Sequence, residues 1–192
     1  MNVSLANRFA VLSFALFLSA CAGVRLVPAY NPDIVDGVNA YHTEVLEFIS
    51  TMETKRTPIT GTYKSKPVTT FYAAAAASLG NLVVQAEAAE PNGKCGTSRV
   101  ASLGLAAVTD EASDLSAQLD DALGRETPTL SDTELTTGSC TVIVLKALLA
   151  NHNSVRDMHQ LEGKLVGTSA RLLRDLMNDA VRITLTAEKS KL

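Results

Sequence analysis

The chain has 192 residues, 17 Lys and Arg against 20 Asp and Glu, a net charge of −3, and 5% aromatic residues with no tryptophan. No dense basic stripe is present to neutralise phosphates, which argues against a nucleic-acid binder, and rings are too few for a base- or sugar-stacking platform. The length suits one domain with a single core.

The first eight residues carry one cation, Arg8, and no acid, and they precede the apolar run Phe9–Phe17, which closes in Leu18-Ser19-Ala20-Cys21. The apolar segment is about half the ~20 residues that a membrane-spanning helix needs. A short apolar stretch ending in small residues reads as a secretory signal that is removed on export. Residues 1–20 are therefore expected to lie outside the fold. Their loss leaves 172 residues and, because Arg8 goes with them, a net charge of −4. No further unbroken apolar run of spanning length follows.

Leu18-Ser19-Ala20-Cys21 resembles the lipobox of bacterial lipoprotein precursors. The resemblance implies that Cys21 is lipidated and becomes the first residue of the mature protein. It also implies more than one acyl chain. Since stable attachment takes about two chains, that amounts to a permanent tether. Ala22 follows the cysteine, where Asp favours inner-membrane retention in enteric members of the family. The expected location is thus the outer membrane of a bacterial cell envelope, facing the periplasm.

Residues 21–32 form the expected tether, and 33–192 the domain. Helical periodicity then runs almost throughout. The first helix opens at Asn31-Pro32-Asp33, a capping residue with proline in the first turn. Its seam, Ile34, Val38, Tyr41, Val45, Phe48 and Met52, has the spacing of a packed bundle helix. It ends near Lys55-Arg56, before a loop to Lys66. A second helix from Pro67 carries Val68, Phe71/Tyr72, Ala75, Leu79, Leu82/Val83 and Ala86, and Pro91-Asn92-Gly93 stops it. Its Ala73–Ala77 run is expected to admit a neighbouring helix closely.

A third helix, 98–122, is expected from Val108, Ala112, Leu115, Leu119 and Ala122, with Gly104 weakening its start. Residues 124–139, rich in Gly, Thr, Ser and Asp, are expected to be the least ordered part. A fourth helix runs from Cys140 to about Glu162 on Val142, Leu145, Leu148/Leu149, Val155 and Met158. Thr141–Leu145 has strand propensity, but the pattern continues unpunctuated to Asn151, so it reads as helix. Gly163 and Gly167 bracket a break. The fifth helix then uses Leu172/Leu173, Leu176, Ala180, Ile183 and Ala187.

With Cys21 assigned to lipid, Cys95 and Cys140 remain, and export to an oxidising compartment makes a disulfide between them the default. The bond would bring the end of the second helix to the start of the fourth, leaving the third and its return as a stapled excursion. No Cys-x-x-Cys spacing supports a redox pair or thiolate metal site.

Several patterns resemble a group of proteobacterial lipoproteins known as helical hypothetical proteins. They are Phe71-Tyr72, Ala88-Ala89-Glu90-Pro91 with Cys95, Cys140-Thr141-Val142, His152 and His159 spaced by seven, and Glu188-Lys189. The resemblance covers most of the mature chain. It implies a lipid-anchored helical domain and brings no activity with it.

His152 and His159 fall on the Leu145/Leu148/Val155 face and are expected to point inward. Seven residues is ~10.5 Å of helical rise, too far for one metal ion without other helices. The bundle di-iron signature Glu-x-x-His is reversed here, as His159-x-x-Glu162. His42-x-Glu44 puts its side chains on different faces. Asp110, Glu111, Asp114, Asp120 and Asp121 read as a solvated acidic face of the third helix. Arg171, Arg174, Asp175, Asp179 and Arg182 read as surface ion pairs on the fifth. No nucleophile elbow or phosphate loop occurs.

The expected fold is an all-α, up-and-down bundle of four to five helices with one disulfide. No catalytic residue, metal ligand or cofactor is assigned, and the expected role is a non-enzymatic, partner-binding or structural envelope protein. The alternative is a small-ligand or metal-binding bundle using His152 and His159.

Overall fold

The computed structural model describes residues 30–54, 62–96, 103–104, 110, 114, 117–124, 138–165 and 167–192. Four long helices dominate them: α1 (Pro32–Thr54), α2 (Lys66–Ala89), α3 (Cys140–Glu162) and α4 (Gly167–Lys189). They form an all-α bundle in a closed ring, α1 packing on α2 and α4, and α3 packing on α2 and α4. Asn31 at the start of α1 meets Glu188 at the end of α4, and Glu87 near the end of α2 meets Lys146 near the start of α3. Neighbours therefore run antiparallel, in up-and-down order.

The whole α1 seam is buried, and Val35 and Ile49 widen it. On α2 the core residues are Val68, Tyr72, Ala75, Leu79, Leu82, Val83 and Ala86, with Phe71 packed at the edge. Within the alanine run Ala75 is fully buried in the core, while Ala73, Ala74 and Ala77 face outward. A tight approach between α1 and α2 lies at Gly37, where a Cβ would stand 2.6 Å from a methyl of Leu82. Helix α2 has the length and composition of a membrane span. Its seven buried residues instead form part of the bundle core.

Helix α3 is the central element. Cys140–Leu145 are buried without a gap, as are Ala147, Leu148, Ala150–His152, Ser154 and Val155. A helix apolar on every side has to be covered on every side. That is why Thr141–Leu145, β-branched but enclosed, forms a helix. Ser139 caps it by accepting from the Val142 N–H, and Gly163 ends it in the left-handed region at φ 69°.

Both ends of the bundle are tied. Cys95 and Cys140 are disulfide-bonded with Cα atoms 4.6 Å apart, and the Cys95 N–H donates to the Gly138 carbonyl at 3.0 Å. The exit of α2 and the entry of α3 thus share one end. At the opposite end the Tyr63 N–H donates to the Gly163 carbonyl at 3.1 Å, joining the α1–α2 and α3–α4 connections.

Of the expected third helix, 103, 110, 114 and 117–122 are helical, with Gly104 in a turn at φ 66°. Val108, Glu111, Ala112 and Leu115 lie outside the described residues, as do 125–137. Leu119 is buried as expected, whereas Ala122 is exposed. Leu103 and Cys95 pack against Cys140, Val144 and Ile183, a second apolar cluster that covers the outer side of the α3–α4 pair. Asp110, Asp114 and Asp121 are exposed, but Asp120 is buried rather than solvated, and it is not without a partner.

Candidate functional site

Two polar centres lie inside the bundle, one at mid-height and one at the disulfide end. The first is built around Tyr72. Helical spacing from Val68 and Leu79 turns its ring inward. There it meets His152 and His159, which the Leu145/Leu148/Val155 seam of α3 carries to the same side. Both histidines are buried, as their register predicts.

His152 Nε2 lies 3.1 Å from the Tyr72 carbonyl oxygen, which can only accept, so this nitrogen carries the proton. Burial lowers the His152 pKa to about 4; the carbonyl bond opposes the shift and Arg156 adds to it. The ring is therefore neutral at ordinary pH. Nδ1 is left as a lone pair that accepts from the Tyr41 hydroxyl at 3.0 Å. Met177 Sδ sits 3.3 Å from the same hydroxyl, a second and weaker acceptor within its reach.

Tyr72 also places its hydroxyl 3.0 Å from His159 Nδ1. One residue thus engages both histidines, through its carbonyl and its side chain. Burial pushes the Tyr41 and Tyr72 hydroxyls well above their ordinary pKa, so both stay protonated. Around them Phe48 and Phe71 stack with centroids 3.9 Å apart, and Tyr63 meets His159 edge-on at 5.8 Å. Among the described residues no group of three or more His, Cys, Asp or Glu could hold a metal ion. His42 stands apart and bonds Asn178 Oδ1 at 2.7 Å, tying α1 to α4.

The second centre joins four termini. Glu188, fully buried on α4, accepts from the Asn31 N–H at 3.1 Å, from the Thr141 hydroxyl and from the Lys191 ammonium. Lys191 also pairs with Glu90 at the end of α2, and both side chains are more than nine-tenths buried. Glu90 Oε2 has no hydrogen-bond partner in this enclosure. The cluster clamps the start of α1 to the carboxyl-terminal end of α4.

Of the residues singled out in the sequence, the structure brings together His152 with His159 and Cys95 with Cys140. Cys21 lies outside the described residues. Sequence reasoning missed Tyr41 and Tyr72 as histidine partners and the whole Glu90–Thr141–Glu188–Lys191 cluster. One signal for the cluster was present: Thr184 and Glu188 continue the inward register of Ala180 at intervals of four. No family model, no curated protein and no solved structure matches the chain.

Proposed function

We propose that this protein is a lipid-anchored component of a bacterial cell envelope, tethered through Cys21 and serving a partner-binding or structural role without catalysis. The supporting observation is the Cys95–Cys140 disulfide at the junction of α2 and α3. Such bonds persist in oxidising compartments and are rare in the cytosol, which agrees with export directed by residues 1–20. The interior agrees with a non-catalytic role. Nδ1 of each buried histidine already faces a tyrosine hydroxyl, so the rings act as cross-braces between helices. That geometry gives little support to the alternative of a ligand- or metal-binding bundle built on His152 and His159.

Metabolic labelling with palmitate in a bacterial host tests the anchor. Label in the wild type, absent from Cys21→Ser, and sedimentation with outer membranes are the expected results. An unlabelled, freely soluble wild-type protein would overturn the proposal.

A further inference from the structure

We propose that the groove between α1 and α2 is the docking site for a basic segment of a protein partner, one that offers Arg or Lys beside an apolar side chain. The inference rests on the partner-binding reading above and specifies its chemistry. The groove has a volume of about 390 Å³ and is floored by Phe48, Met52, Pro67 and Phe71, with Glu44 and Glu47 on its rim. That volume accepts one or two side chains rather than a folded surface, which points to a segment.

Charge chooses the occupant. Helix α1 carries Asp33, Asp36, Glu44, Glu47 and Glu53 but no Lys or Arg. Glu44 and Glu47 are exposed and form no ion pair among the described residues. A Lys or Arg side chain satisfies both parts of the groove at once. Its aliphatic stem lies on apolar surface while its charged head stays at the wetter rim. A cation near the Phe48–Phe71 pair also gains from the ring electrons. An acidic segment would meet like charge at the rim, where repulsion suppresses wrong partners. Phe48 stands ~25 Å along α1 from Asn31, so the groove is remote from the end at which the tether arrives.

Fluorescence anisotropy with the full exported protein in detergent tests this, using a labelled octapeptide of alternating Leu and Arg and its Leu and Asp counterpart. The Arg peptide is expected to bind, and the Asp peptide to bind at least tenfold more weakly. Glu44→Gln with Glu47→Gln should weaken the Arg peptide at least tenfold with unchanged thermal unfolding. Asp33→Asn with Asp36→Asn makes the same charge change at the other end of α1 and should leave affinity within twofold. Equal binding of both peptides, no binding of either, or equal losses from both double variants would overturn the groove assignment. Cross-linking in intact cells separates the two failures. A partner captured through other faces, with no peptide in the groove, removes this inference and leaves the partner-binding reading standing.

Discussion

Acidification should weaken this bundle through His152 in a calculable way. In the unfolded chain the ring titrates near 6.5, whereas burial in the fold lowers its pKa to about 4. Between those values the unfolded state binds more protons, so stability falls as pH falls. The contribution is fully present above pH 6.5 and is lost on the way down to about pH 4. Integrating the two titrations gives a loss of about 2 kcal/mol between pH 7 and pH 5, and about 3 kcal/mol by pH 4. The control is His152→Gln, which keeps an N–H donor for the Tyr72 carbonyl but cannot titrate. Its own cost at pH 7 is about 1–3 kcal/mol, because Tyr41 loses the imidazole acceptor and keeps only the weak thioether of Met177. Equilibrium urea unfolding of both proteins at pH 7 and pH 5 gives the four free energies needed. The wild type should lose about 2 kcal/mol more than the variant over that interval. Parallel losses would refute the reasoning, since carboxylates shared by both proteins would then account for the acid sensitivity.

Three other perturbations follow from the same structure. Replacing both Cys95 and Cys140 by Ser should cost about 4 kcal/mol in urea unfolding, the loop-closure value for a separation of 45 residues; a thiol reagent should find neither cysteine in the non-reduced protein. Lys191→Met removes the cation shared by buried Glu90 and Glu188 and should destabilise by about 3 kcal/mol. Adding Glu90→Gln should restore part of that loss in a thermal melt. Two glycines should respond with opposite sign to alanine, because a Cβ at either would meet no atom within 4 Å and only the backbone conformation differs. Gly163→Ala, at φ 69°, should lose about 1–2 kcal/mol in urea unfolding, whereas Gly80→Ala inside α2 should gain up to about 1 kcal/mol.

The sequence by itself determined the helices and their inner faces, because burial on a helix obeys a fixed period. Ile34 to Met52 on α1 and Val68 to Ala86 on α2 needed nothing beyond that period. His152 and His159 were legible as inward for the same reason, and Cys95 with Cys140 followed from counting cysteines. Partners across helices were not legible. Tyr41 and His152 are 111 residues apart, and Asn31 and Glu188 are 157 apart. Only the ring order of the helices, with its antiparallel register, brings such residues together. The same limit explains the one reversal. Asp120 is buried because tertiary covering, which local polarity does not encode, decides which side of a helix meets water.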